Sequence, residues 1–164
     1  MNISQAIQLI IDEHKQVHQN SCIASAIEIV LKALRKVDVD FYDVQNEWPN
    51  EDGKLTFADF RDKLIHGIHF KHEFNIPRNP SFPFEKLFQT IDSELIANRY
   101  VMISLPSQMI PVPLRSGSHI CIIYGEKDGD FLALTKAGKD TIRLNNLKNK
   151  TQKAGGTDIL VYRY

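Results

Sequence analysis

Apolar residues recur at helical spacing through the first part of the chain and at strand spacing through the last part. Ile3, Ile7, Ile10 and Ile11 share one face of a short helix. Ile23, Ile27, Val30, Leu31 and Leu34 recur every three or four residues, which predicts a second helix to about Lys36. Asn20 or Ser21 is placed to cap it. This helix is the expected buried centre of its half of the molecule. A turn-rich stretch from Trp48 to Gly53 follows, and Thr56 then reads as the cap of a helix through Phe57, Phe60 and Leu64. Gly67 to Ile76 fits an extended segment, and the prolines at 77, 80 and 83 mark a loop. Phe84, Leu87, Phe88, Ile91 and Leu95 form one more helical stripe, ending near Asn98.

From Tyr100 onward the pattern changes. Residues 100–105, 120–124, 131–135, 141–144 and 159–164 read as strands, rich in Ile, Val, Leu, Phe and Tyr. Residues 125–130 carry a hairpin turn between two of them, and Pro106 to Gly117 is a Pro-rich loop. Helices first and strands second predict an α+β fold rather than alternating βαβ units. No repeat or linker breaks the chain, so residues 1–164 are expected to form one domain.

Composition narrows the function classes. Apolar residues are 43% and charged residues 24% of the chain, which argues for a packed globular protein over a disordered one. Lys plus Arg (20) equals Asp plus Glu (20), so no cationic excess is available for phosphates and nucleic-acid binding is not expected. Two cysteines do not make a disulfide framework. No secretory leader is evident, and no apolar run approaches the roughly 18 residues of a membrane helix. A reducing cytoplasm is therefore the expected compartment.

Two residues carry the candidate chemistry. Cys22 stands where the second helix begins, and a helix N-terminus stabilises a thiolate through its partial positive charge and unpaired N–H groups. The opposing reading is a small buried apolar residue on the helix. His119 opens an apolar strand after the Pro-rich loop, in Ser-Gly-Ser-His-Ile-Cys-Ile-Ile-Tyr-Gly. Its imidazolium, set beside the sulfur, would lower the thiol pKa further and supply a general acid. Cys121, two residues on, reads as core.

Gln16, six residues before a cysteine that opens a helix, followed by helices and then a strand starting with His119, resembles the papain-like cysteine peptidase superfamily. The nearest version is the bacterial, bacteriocin-processing (double-glycine leader) peptidase family. The resemblance implies a helical half carrying Cys22 packed on an antiparallel sheet carrying His119, with the cleft between them. It implies hydrolysis of a peptide or isopeptide amide without a cofactor, with a peptide or protein as the partner. Gln16 would be the oxyanion donor beside the Cys22 backbone N–H, with Gln19 as its rival. The 106–117 loop would border the cleft and act as a lid.

The departures are specific. Ser21 and Ile23 flank the cysteine where that family has Asp and Gly. Thr135 and Lys136 stand where it has Asp or Asn to orient the histidine. Thr135 can take one hydrogen bond from His119 but supplies no charge. Asp128, Asp130, Asp140 and Asp158 are alternative partners that the sequence does not rank. A catalytically inert module that binds a peptide or partner protein in the same cleft is therefore the competing expectation. His66, His69 and His72 recur every third residue and His14 and His18 lie four apart, but neither set completes a metal-ligand pattern. Asp128-Gly129-Asp130 lacks the full calcium-loop spacing. No glycine-rich phosphate loop is present, so no metal and no cofactor is expected.

Overall fold

The computed structural model describes residues 2–111 and 117–164. Its helices are α1 (Ile3–Ile10), α2 (Cys22–Ala33), α3 (Asp43–Glu47), α4 (Phe84–Ile96) and α5 (Leu147–Lys153). Its strands are β1 (Leu64–Ile65), β2 (Ile68–Glu73), β3 (Val101–Pro106), β4 (Ser118–Lys127), β5 (Asp130–Ala137), β6 (Asp140–Leu144) and β7 (Ile159–Arg163). The strands form one sheet in the order β1-β2-β7-β3-β4-β5-β6, and every pairing is antiparallel. The fold is α+β. No described helix is long and apolar enough to cross a membrane.

Helices cover both faces of the sheet, which explains why the central strands are nearly continuous in apolar residues. On β4, Ile120, Ile122 and Tyr124 face a core built with α1 and α2, through Ile7, Ile27 and Leu31. Cys121 and Ile123 face the opposite core with Leu87, Ile91 and Leu147 of α4 and α5. Successive strand residues point to opposite faces, so one strand serves two cores.

The turns explain most boundaries. β4 and β5 are joined through Asp128 (φ 54°) and Gly129 (φ 80°), the two left-handed residues that a tight hairpin matching strand twist requires. α2 ends at Ala33 rather than near Lys36. Arg35 adopts φ 58°, and the Lys36 N–H returns to the Leu31 carbonyl at 2.9 Å, closing the helix end.

The helix expected over Phe57 to Leu64 is only a 3-10 turn, Phe57–Phe60. Thr56 and Asp59 do form its capping box, but Asp62 turns left-handed (φ 61°) and hands its N–H to the Phe70 carbonyl. Leu64 is consequently an exposed residue on β1. The first half thus contributes β1 and β2 to the sheet, with Phe70 opposite Tyr162 of β7. Near the start of β7, a Cβ on Gly156 (φ 102°) would stand 2.2 Å from the Phe82 ring, so the chain passes that ring only as glycine.

Candidate active site

One cleft of about 1330 Å³ opens where the start of α2 meets the ends of β3, β4 and β5. Cys22, His119, Gln16 and Gln19 all line it. The sequence separates Cys22 from His119 by most of the chain, and the sheet topology brings them to one wall-to-wall space. Thr135 is buried. Part of the loop expected to act as a lid, residues 112–116, lies outside the described residues. Its base is closed by the Ser107 N–H on the Gly117 carbonyl, at 2.8 Å.

Cys22 is the first residue of α2 and is half-buried. Ser21 occupies the cap position but does not cap the helix. Its hydroxyl instead donates to Gln45 Oε1 at 2.6 Å and contacts the His18 carbonyl at 3.0 Å. The first turn of α2 therefore keeps the electropositive character of a helix start without a side-chain cap.

Gln16 holds the loop that leads to Cys22. Its Nε2 donates to the carbonyls of His18 and Gln19, each at 3.1 Å. Both amide protons are thereby committed, and Oε1 is buried without a hydrogen-bond partner among the described residues. Oxyanion donation by Gln16 requires those loop bonds to open. Gln19 is exposed on the cleft wall, and among the described residues its amide is engaged in no such loop bond.

His119 lies near the start of β4 and is 7% exposed. Its Nε2 lies 2.9 Å from the Lys136 carbonyl oxygen. A carbonyl only accepts, so Nε2 carries the proton and Nδ1 is the basic nitrogen of the neutral ring. The orienting partner is thus one residue beyond Thr135, and it is backbone. The Thr135 hydroxyl, expected to orient the imidazole, donates instead to the Ile120 carbonyl at 2.6 Å. Burial pushes the His119 pKa below its ordinary value, and the carbonyl offsets this only in part. Burial thus acts in favour of the neutral ring.

Among the aspartates weighed as alternatives, Asp140 and Asp158 line the cleft. Asp158 Oδ2 is 2.7 Å from His72 Nε2. Asp130 accepts from the N–H groups of Phe131 and Lys148.

Behind the Cys22 wall lies a buried polar network that the apolar pattern did not reveal. Glu28, fully buried on α2, accepts from the Gln45 backbone N–H at 2.9 Å and from Gln45 Nε2 at 2.7 Å. Burial raises the pKa of its carboxyl. Lys32, one turn further, places Nζ 2.9 Å from His14 Nδ1 and 3.8 Å from the Tyr42 ring centroid. Burial pulls the Lys32 pKa down to about 8, with Glu28 opposing the shift. Burial first, and the neighbouring Lys32 cation second, lower His14 to about 3. His14 is therefore neutral, with Nε2 protonated and facing Ser25 Oγ at 2.9 Å. The available signal was Glu28 and Lys32, two charged residues four apart in a helix that is apolar on almost every side.

Cys121 is fully buried in the core facing α4, and burial raises its thiol pKa. The remaining histidines separate. His66 meets Phe41 edge-on, His69 lies 3.7 Å from Asp62, and His18 Nε2 is 3.1 Å from Asn46 Oδ1. Among the described residues, no group of His, Cys, Asp and Glu is placed to hold a metal ion. No protein-family model matches the chain, and no curated protein sequence matches it.

Proposed function

We propose that this protein is a thiol-dependent hydrolase of papain-like type, cleaving a peptide or isopeptide amide with Cys22 and His119. The observation that carries the reading is a helix-opening cysteine sharing a cleft with an imidazole whose Nε2 is fixed on a carbonyl. That bond leaves Nδ1 as the ring's base. The imidazole takes the thiol proton as sulfur attacks the amide carbonyl, forming the C–S bond. The same proton passes to the leaving amine as the C–N bond breaks. Water then gives a proton to the imidazole and attacks the thioester; as the new C–O bond forms the C–S bond breaks, the carboxylic acid leaves, and the proton returns from the imidazole to the sulfur. The uncapped start of α2, with Gln19 or a released Gln16, supplies the oxyanion donors. Thr135 supports the strand carrying His119 rather than the ring itself.

A second reading has its own support. The imidazole is oriented by a neutral carbonyl rather than a carboxylate, and the Gln16 amide protons are committed within their loop. Both features suit an inert cleft that binds a peptide.

Iodoacetamide alkylation of Cys22 across pH, read by peptide mapping, separates the two. For a hydrolase, alkylation at about pH 6 is at least tenfold slower in His119→Ala, because the proton acceptor is gone. Cys22→Ala abolishes turnover in peptide and isopeptide libraries. Alkylation that follows an ordinary thiol near about pH 8.5 and ignores His119 would sink the hydrolase reading in favour of the binding module.

A further inference from the structure

Gln45 lies behind the cleft wall on the short helix α3 and is fully buried. One amide group there holds both neighbours of Gln16. Nε2 donates to the Lys15 carbonyl at 2.9 Å, and Oε1 accepts from the Val17 N–H at 2.8 Å. Oε1 also accepts from the hydroxyl of Ser21, the residue before Cys22, at 2.6 Å. Glu28 fixes this amide to α2, taking the Gln45 N–H at 2.9 Å and its Nε2 at 2.7 Å. The carboxylate bonds are charge-assisted, and water is excluded around them, so the amide has one well-defined orientation.

We propose that Gln45, held by Glu28, is the positioning residue of the thiol site. It fixes the 15–21 segment against α2, and so sets where Gln16 and Gln19 stand relative to Cys22. The inference rests on the hydrolase reading above. A donor displaced by about 1 Å loses much of its effect on a developing oxyanion, whereas the sulfur itself keeps its reactivity.

The test uses the full chain and two probes. Iodoacetamide reports the thiol alone. A panel of N-acetyl-dipeptide aldehydes, which add to the thiol and place an oxygen among the oxyanion donors, reports the segment around it. Gln45→Met, similar in length and without the four side-chain bonds, is expected to weaken the best aldehyde at least tenfold and change alkylation less than about twofold. The exchange variant Glu28→Gln/Gln45→Glu keeps acceptors for Val17 and Ser21 and a donor–acceptor pair between 28 and 45. It is expected to recover part of the loss, which a purely space-filling role would not allow. Should Gln45→Met fail to fold, Ser21→Ala removes the Ser21 arm of the clamp together with the hydroxyl's own contacts to the His18 backbone and is expected to weaken the aldehyde by about threefold. A wild type that forms the aldehyde adduct, beside a Gln45→Met or a folded Ser21→Ala that forms it equally well, overturns the clamp alone. An exchange variant no better than Gln45→Met overturns it too. A wild type forming no adduct, with alkylation indifferent to His119, removes the hydrolase reading and the clamp with it.

Discussion

The two walls of the cleft are held in different ways. The Cys22 wall hangs on buried side chains: Gln45, Glu28 and Ser21 bond to one another and to the backbone of residues 15, 17 and 18, and beside them His14 bonds Lys32 and Ser25. The His119 wall hangs on strand backbone, with Lys136 supplying its carbonyl and not its ammonium. Side-chain scaffolding can be removed one substitution at a time and responds to pH. Backbone scaffolding survives most substitutions, because every residue carries the same carbonyl. The nucleophile side should therefore be the fragile one and the histidine side the tolerant one.

The sharpest way to break this contrast is Glu28→Ala. It strips two buried donors of Gln45 of their acceptor and opens a cavity beside α2, and the expected loss is about 3 kcal/mol in urea unfolding. A loss under about 1 kcal/mol would mean that the network is incidental to the wall.

Acid titration comes next. The folded pKa of His14 lies at about 3, below the value of about 6.5 in an unfolded chain. The unfolded state therefore binds the proton first as pH falls. The stability this neutral ring confers is present above pH 6.5 and drains away towards pH 3, amounting to about 2 kcal/mol at pH 5. Wild type should lose that much more than His14→Gln between pH 7 and 5, measured by the same unfolding curves. Equal losses would place a charged imidazole in the fold.

The smallest effect belongs to the other wall. Thr135→Val removes one hydroxyl bond to the Ile120 carbonyl. It should cost about 1 kcal/mol, while Cys22 alkylation and its His119 dependence stay within about twofold. A tenfold fall in alkylation would restore Thr135 as the imidazole's own support.

How much could be read beforehand follows from the same contrast. Cys22 at a helix start and His119 at a strand mouth were legible because side-chain identity and apolar period both mark them. The Lys136 carbonyl was not, since a carbonyl has no letter of its own, whereas the neighbouring Thr135 hydroxyl does. Gln45 was hidden for another reason: α3 is only five residues long, too short to show a period. The sequence predicts a 57–64 helix because Thr56 and Asp59 form a genuine capping box, but a left-handed Asp62 then diverts the chain. The β2 strand was legible only as extended: its local partner β1 is two residues long, and its longer pairing is with β7, nearly a hundred residues away, which no local pattern encodes.

The two-residue turn between β5 and β6 has a consequence for how this chain can change length. Lys136, just before it, holds the imidazole, and Gly138, within it at φ 61°, accepts the Gln16 N–H at 2.9 Å. The turn is thus a spacer measuring one wall against the other. An added residue there would move both anchors at once, whereas the Asp128–Gly129 turn at the opposite end of β5 has no such duty. Insertions and deletions should accumulate at the latter hairpin and be excluded from the former, so the site's dimensions are kept by chain length as well as by residue identity.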